Sequence, residues 1–352
     1  MLEYLAEYGL FLAKAITIVA AILAIAGSLV SLAMRQKQNS SKQLEITHLN
    51  KQFKEMEKTL CAATLSEVGM KQKLKAEKKQ AKLDAKAEKK ANKGAKDDSP
   101  PGQKRLFVLD FEGDMKASNV ESMRQEISAL LTIAGESDEV LVRLESAGGT
   151  VHGYGLGASQ LKRIRDRNIP LTVAVDKVAA SGGYMMACVA NQIIAAPFAI
   201  LGSIGVLAQM PNLNRLLKRH DVDYEQLYAG EYKRTLTLFG ENTDKGRAKM
   251  QADLEETHQL FKEFVKSQRP GLDIDRVATG EHWLGTRALE LGLVDALVTS
   301  DDYLMSMNRD AEILQIEYSE KKTLMEKMSN LMSFRFRQQQ KEVQDLDKPL
   351  LM

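Results

Sequence analysis

From residue 15 to residue 34 the chain reads AITIVAAILAIAGSLVSLAM, twenty residues without a charge. A helix of about twenty residues rises about 30 Å, the thickness of a bilayer's hydrocarbon. In lipid the backbone must satisfy its own N–H and C=O groups, so such a run is expected to be a membrane-spanning helix. A cleaved signal peptide is the competing reading, but the flank 1–14 carries Glu3 and Glu7 and only one base, Lys14, where a basic region would be needed. The lipid bilayer is therefore an expected partner through residues 15–34. Arg35, Lys37 and Lys42 follow the run, and that bias places the rest of the chain in the cytoplasm. A large domain can be exported with little regard for a few charges, so a periplasmic domain is the open alternative.

Residues 35–102 are expected to be a stalk and linker rich in Lys, Ala and Glu. Between Lys71 and Lys96 eleven lysines stand against Glu77, Asp84 and Glu88. This is a solvated, helix-prone spacer that could also adhere to anionic headgroups. Pro100 and Pro101 end it, because neither can continue a helix. The globular domain is expected over 103–310 and a charged amphipathic tail over 311–352.

Within the domain the apolar pattern switches between periods of two and 3.6 residues. Leu106 to Phe111, Val140 to Leu144, Leu171 to Val175, Gln192 to Ala196 and Ile204 to Leu207 read as strands. Helices are expected at Ser118 to Ala134, Tyr154 to Arg167 and Gly182 to Ala190, and beyond Pro211 the chain should be mostly helical, notably Thr243 to Gln268. The fold class is α/β, with largely parallel strands covered by helices. The charge is nearly balanced, 49 basic against 47 acidic residues, so no global field argues for nucleic acid. Cys61 and Cys188 and the five histidines, His48, His152, His220, His258 and His282, have no metal-ligand spacing. Neither a metal nor a cofactor is expected.

Two glycine-rich turns each follow an apolar strand: Glu145-Ser146-Ala147-Gly148-Gly149 and Ala180-Ser181-Gly182-Gly183-Tyr184. Both sit where a strand becomes a helix, and the first backbone N–H groups of a helix have no partner within it. If the turns lie side by side in a parallel sheet, one supplies a serine nucleophile and the other N–H groups for an oxyanion. Mere punctuation between strand and helix explains either turn equally well.

Val178-Ala179-Ala180-Ser181-Gly182-Gly183-Tyr184, Gly202-Ser203-Ile204-Gly205-Val206, Gly230-Glu231-Tyr232-Lys233 and Gly280-Glu281-His282-Trp283-Leu284-Gly285 together resemble the signal peptide peptidase A group of serine proteases, peptidase family S49. The resemblance covers about residues 104–300. It implies a spiral of ββα units like that of the Clp peptidase and the crotonases, and location in a bacterial inner membrane. It also implies Ser181 as nucleophile, Lys233 as base, Ser203 orienting that base, and Gly148, Gly149 and Gly182 as oxyanion backbone. Ala147 departs from the group, whose turn usually has proline there.

The residues allow that chemistry. A serine needs a neighbour to take its proton, and the histidines are poorly placed to do so. A lysine can act when burial lowers its pKa from about 10.4 to about 7 or 8, and the run Thr235 to Phe239 beside Lys233 suggests an apolar setting. The expected function is a membrane-anchored serine endopeptidase with a Ser/Lys dyad, acting on signal-peptide remnants or misfolded membrane-proximal polypeptides. The resemblance further implies a homo-oligomer with active sites near subunit interfaces, which leaves open whether Ser181 and Lys233 pair within one chain or between chains. The alternatives are a catalytically silent scaffold on the same fold and a crotonase-like enzyme binding a CoA thioester.

Overall fold

The computed structural model describes residues 42–66 and 104–320, with Lys14, Thr17 and a few single positions between 69 and 79. The expected anchor (Thr17 apart), most of the stalk and the tail beyond 320 lie outside the described residues. Among the described residues no helix is long and apolar enough to cross a membrane. Glu45–Glu317 form one compact unit; Lys42–Leu44 and Tyr318–Glu320 are the described ends of another.

The elements run β1 (Lys42–His48), α1 (Leu49–Thr64), β2 (Arg105–Gly113), α2 (Val120–Leu130), β3 (Glu139–Ser146), α3 (Val151–Arg165), β4 (Leu171–Val175), β5 (Val178–Ala180) and α4 (Gly182–Ala187). They continue with β6 (Gln192–Ala195), β7 (Ile200–Gly202), α5 (Asn214–Arg219), α6 (Asp244–Gln268), α7 (Ile274–Val277), β8 (His282–Leu284), α8 (Gly285–Glu290), β9 (Ala296–Leu297), α9 (Ser300–Met307) and β10 (Glu312–Glu320). The main sheet has the order β1-β10-β2-β3-β4-β6-β9, and the pairs from β10 to β9 are parallel.

Strand alternation sends side chains to two separate cores. Phe107, Leu109 and Phe111 of β2, Val140, Val142 and Leu144 of β3, and Leu171, Val173 and Val175 of β4 pack with the inner faces of α2, α3 and α4. Leu106, Val108, Leu141, Ala174 and Ile194 point to the opposite face, against Leu49, Leu304 and Ile313. Strands covered on both faces read as nearly continuous apolar runs, and each fully buried large side chain contributes about 1.5–3 kcal/mol.

The sheet divides at the end of β3. Its first half pairs with β4, Val140 opposite Leu171 to Arg143 opposite Ala174, whereas Ser146 pairs with Ala179 of β5. From β5 a branch continues to β7 in parallel and from β7 to β8 in antiparallel. The strand pairs β4/β5 and β6/β7 thus each contribute one strand to the main sheet and one to the branch, and the branch carries the strand-to-helix turn at Ser181.

The structure corrects several boundaries. The strand expected at Ile204 to Leu207 lies earlier, at Ile200–Gly202, because positive φ at Gly202 (94°) and Ser203 (51°) ends the extended backbone. The helix expected to reach Ala190 stops at Ala187. Between Pro211 and Thr243 the only helix among the described residues is the six-residue α5, since the apolar residues of this stretch find no buried surface on their own chain. The domain is also wider than 103–310. Glu312 to Gln315 pair with Arg105 to Val108, and Ile313 and Leu314 enter the two cores. From the expected stalk, Leu49 is buried, and the Asn50 side chain donates to the Ala311 carbonyl at 3.0 Å and accepts the Ile313 N–H at 2.7 Å.

Candidate active site

Ser181 stands between β5 and α4 with φ 52° and ψ −118°, a backbone state that costs a residue with a Cβ on the order of 1–3 kcal/mol. Neighbouring atoms hold it there. Its N–H donates to the Gly202 carbonyl at 2.8 Å, which ties the turn to the end of β7. The glycines that follow are required by crowding. A Cβ on Gly182 would fall 2.4 Å from the Tyr154 ring, and one on Gly183 would fall 2.5 Å from the Ser146 carbonyl oxygen.

The other glycine turn lies directly against Ser181. Gly148 has φ 92°, and a Cβ there would sit 2.8 Å from the Ala180 oxygen, the Gly182 nitrogen and the Ser181 Cβ. Gly149 is seated on the loop after β2, where a Cβ would fall 2.2 Å from the Met115 carbonyl oxygen. The Thr150 N–H donates to that oxygen at 2.9 Å. The side-by-side turns expected from the sequence are thus present. Their donors are differently allotted, because the Gly148 N–H already donates to Ser146 Oγ at 3.0 Å. The Gly149 N–H has no partner among the described residues, and Gly182 opens α4, where an N–H has no intrahelical acceptor.

Beneath the turn lies a buried chain that sequence reading missed. Ser146 Oγ and Tyr154 Oη are 2.5 Å apart, and Tyr154 Oη donates to the Asp114 carbonyl at 2.8 Å. Burial pushes the Tyr154 phenol above its ordinary pKa. The Asp114 carboxylate accepts the N–H and hydroxyl of Ser118, which hold its pKa low and brace the loop. Ser146 is legible as the residue two before Gly148, but no spacing pairs it with Tyr154 across the start of a helix.

Ser203 has φ 51°, and its N–H donates to the Glu281 carbonyl at 2.6 Å. Pairing of Gly202 with His282 and of Leu201 with Trp283 brings the two sequence motifs together. The Trp283 ring covers Gly202, where a Cβ would fall 2.8 Å away.

Lys233 departs from expectation. Its side chain is exposed rather than set among apolar groups, and it makes no hydrogen bond or ion pair with Ser181, Ser203 or any other described residue. Its N–H donates to the Gly230 carbonyl in a turn where Gly230 has φ 97°. No side chain from Gly205 to Leu260 is buried, although this stretch includes Leu207, Leu227, Tyr228 and Tyr232, with Leu227 95% exposed. The histidines supply no substitute: His258 Nε2 lies 3.1 Å from the Ile204 oxygen, and His152, His220 and His282 are exposed. Cys188 is buried and its thiol is pushed up to about 12, which leaves it unreactive. No metal-binding cluster occurs among the described residues.

Residues 3–161 match the profile of the peptidase family S49 N-terminal region, and residues 163–314 match that of peptidase family S49 itself. The chain belongs to peptidase family S49. Within S49 it is of the SohB type. It is 51% identical over 325 residues to the probable protease SohB of Haemophilus influenzae, covering 92% of each chain. It is 50% identical over 305 residues to that of Buchnera aphidicola subsp. Schlechtendalia chinensis, covering 87% of this chain and all of the relative. A solved membrane-bound stomatin-specific protease with a substrate peptide is also similar, at 14% identity and a TM-score of 0.40, covering 66% of this chain and 98% of the other. Its S49 match and its SohB relatives make it a peptidase, and its own strands and helices form a mixed α/β fold.

Proposed function

We propose that the protein is a membrane-anchored serine endopeptidase in which Ser181 attacks the scissile carbonyl and Lys233 takes its proton. The observation that carries this reading is the Gly148 turn pressed against Ser181. It supports the reading because it brings the Gly148 backbone against Ser181, and in this reading the Gly149 and Gly182 N–H groups are the oxyanion donors. As the tetrahedral intermediate collapses, the Lys233 ammonium returns the proton to the leaving amine, and water then repeats the sequence on the acyl-enzyme. Ser203, at the end of β7, would orient the neutral amine.

Lys233 is supplied, in this reading, by a neighbouring copy of the chain. The support is the unburied stretch that bears it, in which Leu207, Leu227, Tyr228 and Tyr232 are each exposed on the single chain. The same assembly would desolvate the lysine. The finer fold reading is the ββα spiral of the Clp peptidase and crotonases, supported by the paired strands β4/β5 and β6/β7. Residues 15–34 would anchor the chain in a bacterial inner membrane, with the domain on the cytoplasmic side by charge bias. Substrates would be signal-peptide remnants or misfolded polypeptides near that membrane.

The test mixes two inactive full-length variants, Ser181→Ala and Lys233→Ala, co-expressed and purified together. Recovery of about a quarter of the wild-type activity per chain is expected when the sites are shared, while a mixture as inactive as either parent would exclude a lysine in trans. Labelling of Ser181 by a fluorophosphonate, absent in Ser181→Ala, checks the nucleophile separately.

A further inference from the structure

The directions of the bonds beneath the oxyanion turn can be assigned without seeing a hydrogen. The Asp114 carbonyl can only accept, so Tyr154 spends its one proton there, at 2.8 Å. In the 2.5 Å contact between the hydroxyls, Ser146 must then be the donor and Tyr154 the acceptor. That leaves a lone pair of Ser146 Oγ for the Gly148 N–H, at 3.0 Å. A one-way chain therefore runs from the Gly148 N–H through both hydroxyls to the loop after β2. It is enclosed: Tyr154 is fully buried, Ser146 is 2% exposed, and Gly113 has no room for a Cβ, which would fall 2.4 Å from Ser146 Oγ and 2.5 Å from Tyr154 Oη.

Gly148 is the residue in contact with Ser181, so whatever aims its peptide also sets the distance between turn and nucleophile. Its N–H is turned inward, away from a substrate, and Gly149 keeps the turn's uncommitted donor. The Tyr154 ring also abuts Gly182, the other donor. One side chain thus bears on both halves of the oxyanion site.

We infer that Tyr154 and Ser146 are positioning residues for catalysis: their hydroxyl chain commits the Gly148 N–H to the interior and so aims the Gly149 N–H at the oxyanion. The inference rests on Ser181 being the nucleophile. Chains of buried hydrogen bonds are cooperative, so loss of one member loosens the whole. A donor displaced by a fraction of an ångström stabilises the transition state less while leaving ground-state binding nearly unchanged.

The test compares Tyr154→Phe, Ser146→Ala and the double variant in the full-length protein, by steady-state peptide hydrolysis and by the rate of fluorophosphonate labelling. Phenylalanine keeps the ring against Gly182, and the Asp114 carbonyl retains the Ala117 N–H at 3.0 Å, so the fold is conserved. Each single variant is expected to lower kcat by about 10- to 100-fold with KM within twofold, as loss of an oxyanion interaction does. The double should be no worse than the poorer single. Wild-type kcat in both singles, with Ser181→Ala inactive, would overturn the positioning chain alone. Losses that multiply in the double, or that appear in KM, would also overturn it. Turnover in Ser181→Ala would instead remove the nucleophile reading on which it stands.

Discussion

Gly148 lies against Ser181: a Cβ on the first would fall 2.8 Å from the Cβ of the second. They lie 33 positions apart in sequence, and they meet because Ser146 at the end of β3 pairs with Ala179 of β5, just before the turn. Gly148→Ala should therefore act on catalysis as well as on stability. The methyl group meets the Ala180 oxygen, the Gly182 nitrogen and the Ser181 Cβ, and the φ of 92° is strained for alanine. A stability loss of about 1–3 kcal/mol and a fall in kcat of at least 100-fold are expected, read by thermal unfolding and peptide hydrolysis on one preparation.

Lys233→Arg separates a base from a mere positive charge. Arginine preserves length and charge but stays protonated at any working pH and cannot accept the serine proton. It should be nearly as inactive as Lys233→Ala, and kcat/KM of the wild type should rise with pH and then level. An arginine variant retaining more than a few per cent of activity, with His258→Ala or His282→Ala inactive, would remove the dyad.

Leu227 is 95% exposed, so an aspartate there costs the single chain almost nothing. If the surrounding surface joins copies, Leu227→Asp should dissociate the assembly in detergent and abolish turnover without lowering the unfolding temperature. Sedimentation of an unchanged oligomer with full activity would place the interface elsewhere.

Asp138 bears on stability against pH. Burial pushes its carboxyl up, but the Arg105 guanidinium, at 2.6 Å, and the Gly135 N–H outweigh it and hold the pKa below the usual value. A depressed carboxyl pKa contributes stability that is complete above the unfolded value of about 3.9 and is lost as pH falls through the folded value. Asp138→Asn should cost about 1–3 kcal/mol at pH 7, less than for a wholly buried pair because Arg105 reaches water. Urea unfolding should show the difference shrinking as pH falls below the unfolded value of about 3.9. An undiminished difference at pH 2 would assign the effect to packing.

Local chemistry made the parallel core and both glycine turns legible. Runs such as Leu106 to Phe111 are apolar because they are covered on two faces, and Ser181 lies in an unusually small-residue turn because Tyr154 and Ser146 crowd it. The edges were not legible. β10 looks like part of a charged tail, since only Ile313, Leu314 and Ile316 reveal its alternation, and it becomes a strand by pairing with Arg105 to Val108. The segment from Gly205 to Thr243 has enough apolar residues to suggest more helix and a buried lysine, yet its own chain offers no surface to cover them.

What the sequence determined by itself was thus whatever depends on neighbours along the chain: the apolar run at 15–34, the strand periodicities, and the glycines at positions where a side chain cannot fit. The tertiary structure decided which groups meet. Sheet register set Gly148 on Ser181, and helix packing brought Tyr154 under Ser146. It also decided that Gly149 rather than Gly148 keeps a free donor. Those relations are contacts between segments distant in sequence, set by the pairing of strands and the filling of volume, and no local pattern of residue types encodes them.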